Sequence, residues 1–236
     1  MAAEVTVKKT GCAAIDAFSS WLDAQCADWA ERDEEIRLME EERDRREKEE
    51  RYRTKVPRRY WNENLGTFTT GSEERLDGRK TAERFARAVK HGDFRTLVLL
   101  GSVGTGKTHL ACGIIYECGG LYRLAPALVE EIRRARSFSA KETESYILGF
   151  YGDANLLVVD EIGRGVAAAD EQYMLYQIIN ERYNRRKPTV LISNQSKKDF
   201  LNYVGIAAAD RLTESAQVVE FTGPSYRTTL RRDCPS

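Results

Sequence analysis

The spacing of apolar residues divides the chain into two regions with different periods. In the first, Ile15, Phe18, Leu22, Cys26, Trp29 and Ile36 recur at intervals of three, four or seven, which places them on one face of a helix. The pattern predicts a helix from residue 14 to about 54. From Glu40 to Arg53 the text becomes "EEERDRREKEERYR", with no apolar stripe, and such a stretch leans on i,i+4 ion pairs of roughly a few tenths of a kcal/mol each. Phe18, Trp21, Leu22 and Trp29 therefore do the apolar work of this region, either against the chain's own domain or against a partner protein. Lys55-Val56-Pro57 closes the region, because proline resists continuing a helix. The expected division is a helical partner-docking region over 1–55 and a second domain over 56–236.

In the second region a loop-like entry, "RRYWNENLGTF", leads to a predicted helix over about 78–91. Short apolar runs then alternate with helical patterns. The runs are Leu97–Leu100, roughly Leu121–Leu128, Leu156–Val159, Val190–Ser193 and Gln217–Phe221. That alternation predicts an α/β fold with a parallel five-stranded sheet between helices.

Composition narrows the setting. With 236 residues, 42% of them hydrophobic, the chain can hold one packed core and a small extra module. No apolar run approaches the roughly 18 residues of a membrane span, and Lys8 and Lys9 precede no signal-like apolar stretch. The five cysteines are scattered with no CxxC pair, which favours reduced thiols over disulfides or a zinc site. A cytoplasmic protein without membrane attachment is expected. Lys+Arg and Asp+Glu are both 37, so no overall basic excess advertises nucleic acid. Residues 1–56 carry 15 acidic and 11 basic side chains, which leaves a mild balance of +4 elsewhere. That permits DNA contact without requiring it.

The chemistry concentrates behind the first apolar run of the second region. Gly101-Ser102-Val103-Gly104-Thr105-Gly106-Lys107-Thr108 fits G-x-x-x-x-G-K-[ST] between a predicted strand and a predicted helix. Its glycines let backbone N–H groups turn toward phosphate oxygens at a helix N-terminus. Lys107 is expected on the β/γ-phosphates and the Thr108 hydroxyl on Mg²⁺. His109 follows in the first helical turn. About fifty residues on, "NLLVVDEIG" delivers Asp160 to the Mg²⁺ shell and Glu161 to the water that attacks the γ-phosphate. "PTVLISNQS" places Asn194 at another strand end, either as a γ-phosphate sensor or as an ordinary turn residue. "AADRLTE" and "GPSYRTT" offer Arg211 and Arg227 as arginines able to stabilise a hydrolytic transition state.

Taken in order, "GSVGTGKTHLA", "LLVVDEIGRG", "INERYNRRKPTVLISNQ", "DRL" and "SYR" resemble the DnaC/IstB branch of AAA+ ATPases over roughly residues 56–230, and most of all the DnaC-type helicase loaders. The resemblance implies an ATP- and Mg²⁺-dependent AAA+ core with Lys107 and Thr108 as Walker A, Asp160 and Glu161 as Walker B, and Asn194 as sensor 1. It implies Arg211 as an arginine finger acting on a neighbouring subunit's nucleotide, Arg227 as a sensor-2-like arginine, and self-association into a spiral or ring. It also implies a DnaB-type replicative helicase as partner, bound through residues 1–55, with single-stranded DNA in a central channel. Phe138, Arg164, Tyr173 and the cluster Arg133, Arg134 and Arg136 are the candidate DNA contacts, through stacking and phosphate pairing. "GIAAADR" departs from the more polar lead-in expected before the finger, and segment 11–54 does not match the bacterial loader's N-terminal region. A phage or mobile-element version fits that divergence.

Three other readings share parts of this pattern. A transposition helper of the IstB type has the same core but a transposase and duplex DNA as partners. A small-molecule phosphotransferase is disfavoured by Glu161 beside Asp160 and by the late arginine pair. A DnaA-like initiator should carry a lid and a helix-turn-helix, and no C-terminal lid is expected here.

Overall fold

A computed structural model describes residues 12–137, 140–164 and 168–226. Two compact units divide the chain, Met1–Glu50 and Arg51–Ser236. Among the described residues the first carries helix α1, Cys12–Arg53. Along it Phe18, Trp21, Trp29 and Ile36 are exposed, and the rings of Phe18 and Trp21 stack at 6.0 Å. The charged half is laced by exposed pairs such as Arg37–Glu34 (2.6 Å) and Arg46–Glu42 (3.7 Å). Each contributes little in water.

The second unit carries a sheet of five parallel strands in the order β2-β3-β4-β1-β5. These are β1 (Thr96–Gly101), β2 (Leu121–Leu124), β3 (Leu157–Ile162), β4 (Thr189–Ser193) and β5 (Ala216–Phe221). Alternation along the strands feeds two cores. Leu97 and Leu99 of β1 join Val158 and Ile192 against α2 (Glu73–Lys90) and α3 (Lys107–Cys118). Val98 and Leu100 join Leu157, Val159 and Leu191 on the other face. There α4 (Ala125–Ala135), α5 (Glu144–Asp153), α6 (Ala168–Asn184), α7 (Lys197–Val204) and α8 (Ile206–Ser215) cover the sheet. A strand buried on both faces reads as a continuous apolar run, which is why the runs stood out in the sequence.

Two expected boundaries need correction. The apolar run starting at Leu121 is a strand only to Leu124, and α4 occupies the remainder to Leu128. Pro126 decides this, since its missing N–H suits a first helical turn and not a sheet ladder. The helix expected over 78–91 begins earlier, at Glu73, because the Ser72 side chain accepts from the Arg75 N–H and caps it.

One buried cation organises the face away from the first core. Arg182 of α6 is almost fully buried and donates to the carbonyls of Tyr151, Ala154 (3.0 Å) and Pro188 and to the Thr189 hydroxyl (2.9 Å). Burial pulls its pKa down to about 9, so it remains charged at neutral pH. Removing it orphans several buried acceptors. Arg182→Ala is expected to lower stability by about 3 kcal/mol or more in urea unfolding. A loss under roughly 1 kcal/mol would mean that other donors replace it.

Candidate nucleotide site

The C-terminal ends of β1, β3 and β4 open into one cleft of about 350 Å³. Its lining includes Gly104, Gly106, Lys107, Thr108 and His109 from the turn after β1, Asp160 and Glu161 from β3, and Asn194 after β4. Clefts of this size hold small-molecule ligands. The turn itself is steeply curved. Gly104 and Gly106 sit at φ of 83° and 101°, and a Cβ on Gly106 would lie 2.5 Å from the Phe68 ring. Only glycine accepts that backbone in that space. Lys107 is buried, with its Nζ donating to the carbonyls of Gly101 (2.7 Å) and Ser102 (2.8 Å).

Asp160 is the most constrained carboxylate in the cleft. Its Oδ2 accepts from the Thr108 hydroxyl and from the Tyr122 phenol, both at 2.8 Å, and its Oδ1 accepts from the Glu161 N–H. Burial and the nearby Asp160 charge push the Tyr122 phenol far above its ordinary range, so it stays a donor. Thr108 and Asp160, a hydroxyl and a carboxylate in direct contact beside the glycine turn, are the oxygen donors a Mg²⁺–phosphate group would need. Glu161 lies at a register shift between Val159 and Ile162 with φ of 60°, a left-handed backbone that is costly for a residue with a Cβ. Its carboxylate pairs with Arg164 at 3.0 Å.

The remaining expected residues scatter. Arg211 on α8 is not in this cleft. It bonds Asn180 (3.3 Å) and Asp210 (3.1 Å) and lies over the Tyr183 ring, beside Thr96 and Thr189, the first residues of β1 and β4. That is the opposite end of the sheet. The arginine cluster is already engaged by acids: Arg133 with Asp170 (2.9 Å), Arg134 with Glu130 (3.0 Å) and Arg136 with Glu144 (2.6 Å). Tyr173 is exposed, with the Arg136 guanidinium over its ring. Phe138 and Arg227 lie outside the described residues.

Sequence reasoning missed one wall of the cleft. Arg59, Tyr60, Glu63, Thr67 and Arg75 line it from the entry loop and α2, with Tyr226 across from them. His109 joins this wall to α3, its Nε2 lying 2.9 Å from the Asn64 carbonyl, 3.1 Å from the Thr67 hydroxyl and 3.2 Å from the Glu63 carboxylate. The entry motif "YWNENLGTF" was visible, but its closeness to the glycine turn depends on tertiary packing.

The family model described as IstB-like ATP binding protein matches residues 12–234. The replicative helicase loader DnaC of Escherichia coli (strain K12) is 28% identical over 144 residues, covering 58% of this chain and 58% of the loader. An insertion sequence IS21 putative ATP-binding protein of Pseudomonas aeruginosa is 26% identical over 190 residues, covering 76% of this chain and 70% of that protein. The chain thus spans less than two thirds of the length of the loaders it matches. The crystal structure of the DnaC helicase loader superposes with a TM-score of 0.63 at 21% identity, covering 70% of this chain and all of that one, a likeness of fold. No helix among the described residues is long and apolar enough to cross a membrane.

Proposed function

The chain belongs to the family of IstB-like ATP binding proteins, and from that premise we propose that it is an ATP-dependent loader that binds the replicative DNA helicase and helps place it on single-stranded DNA. The observation that carries the ATPase reading is the meeting of Lys107, Thr108, Asp160 and Glu161 in one cleft while Arg211 stands at the far end of the sheet. Arg211 standing away from the cleft supports hydrolysis completed by a neighbouring subunit in a spiral or ring.

In this mechanism the glycine-turn N–H groups and Lys107 bind the β- and γ-phosphates, with Lys107 exchanging its bonds to Gly101 and Ser102 for phosphate oxygens. Thr108 and Asp160 would hold Mg²⁺, which supplies charge neutralisation at the phosphates when bound. Glu161 accepts the proton of the attacking water after leaving Arg164. Asn194 orients that water or reads the γ-phosphate, and Arg227 serves as the sensor-2-like arginine. Residues 56–236 form the ATPase domain in this reading, and residues 1–55 dock the helicase through the exposed Phe18, Trp21 and Trp29. Arg164 and Tyr173, with Phe138, are the candidate DNA contacts.

Deleting residues 1–50, which spares the second unit and its buried Tyr52, is expected to leave ATP affinity within about twofold and to abolish co-elution with a DnaB-type helicase. Helicase captured by the truncated protein at full strength would remove the docking role. A second reading has its own support, since the match to the IS21 protein runs over more of the chain than the loader matches do. In that reading the partner is a transposase on duplex target DNA. Pull-down with the full chain separates the two by which protein is retained.

A further inference from the structure

Arg75, at the first turn of α2, bridges the glycine turn, the entry loop and the segment after β5. Its Nη1 donates to the Thr105 carbonyl inside the glycine turn and its Nε donates to the Thr69 carbonyl in the entry loop, both at 2.7 Å. The guanidinium lies over two rings, 4.4 Å from the centre of Phe68 and 4.5 Å from that of Tyr226. Tyr226 in turn donates its backbone N–H to the Gly104 carbonyl at 2.9 Å. The neighbouring Glu74 holds the same segment by accepting from the N–H groups of Thr222 and Gly223. A planar cation with donors along its edge can bond two carbonyls while stacking on rings, and lysine cannot reproduce that.

We propose that Arg75 is a positioning residue that couples the phosphate turn to residues 222–226 after β5. A change in the turn at Thr105 moves the guanidinium, and the guanidinium carries the Tyr226 ring with it. The peptide immediately after that ring bears Arg227. This coupling rests on the nucleotide reading of the cleft, since it names what responds when phosphate enters the turn.

The test uses the full chain and two nucleotides, ADP and a non-hydrolysable ATP analogue. Affinities are measured for the unaltered protein, Arg75→Ala, Arg75→Lys, Tyr226→Phe, Tyr226→Ala and the Arg75→Ala/Tyr226→Ala pair. Arg75→Ala and Tyr226→Ala are each expected to weaken binding about tenfold, and Arg75→Lys and Tyr226→Phe to fall between these and the unaltered protein. The double change should cost no more than Arg75→Ala alone, because the two residues act through one contact. The second readout is the change that nucleotide makes to hydrogen exchange at the Tyr226 amide, compared within each variant with and without nucleotide. At saturating nucleotide the exchange should slow in the unaltered protein and in Tyr226→Phe, and should show no nucleotide dependence in Arg75→Lys or Arg75→Ala. Multiplicative losses in the double variant, or a nucleotide-dependent Tyr226 amide in Arg75→Lys, would overturn the coupling. If Arg75→Ala does not fold, Arg75→Lys and the Tyr226 pair decide it alone. Lack of nucleotide binding by the unaltered chain would instead strike the reading of the cleft itself.

Discussion

Lys107→Ala is expected to lower nucleotide affinity by about a hundredfold or more, the largest effect on affinity of any single change to the cleft. The Lys107 ammonium is buried and held 2.7 to 2.8 Å from two carbonyls of the glycine turn. It is therefore already desolvated and needs little reorganisation to meet phosphate oxygens, whose charge-assisted bonds are roughly twice as strong as neutral ones. Alanine removes both the phosphate contact and the donor that gathers the turn's carbonyls. Titration of a fluorescent ATP analogue, with circular dichroism as a control for folding, measures this. Near-normal affinity in a folded Lys107→Ala protein would end the assignment of the cleft to phosphate.

Glu161→Gln and Arg211→Ala are each expected to reduce ATP turnover by about a thousandfold, and mixing the two inactive proteins is expected to restore part of it. Glu161 and Arg211 lie at opposite ends of the sheet, so one chain cannot bring both to a single γ-phosphate. In a head-to-tail assembly each site joins the Glu161 of one subunit to the Arg211 of the next. An equal mixture then contains roughly a quarter of interfaces in which both are intact. Steady-state phosphate release at a range of mixing ratios reads the recovery. If activity stays at the level of the separate variants at every ratio, Arg211 is not a finger acting between subunits.

The parts of this site that are contiguous in sequence could be read from it. The run Leu97–Leu100, the glycines to Gly106, and Lys107-Thr108 encode strand, turn and helix within a dozen residues, and the structure has them in that order. The acidic pair at Asp160 and Glu161 likewise follows a buried run. The limit of the Leu121 strand was missed because apolar periodicity cannot tell a short strand from the start of a buried helix, and Pro126 was the overlooked signal. Arg75 and Tyr226 were beyond reach for another reason. They are 151 positions apart and meet only because β5 lies beside β1, which brings the residues after Phe221 over the glycine turn. Tyr122 is similar, since its bond to Asp160 depends on β2 pairing with β3.

The acids already bonded to Arg133, Arg134, Arg136 and Arg164 have a consequence for ionic-strength experiments. A polyanion binding these arginines would displace their carboxylates, so part of its counterion release would be offset. Its affinity should therefore fall with salt less steeply than four unencumbered arginines would dictate. The freed carboxylates would instead appear as cations taken up from solution, and at Arg164 the carboxylate set free is that of Glu161.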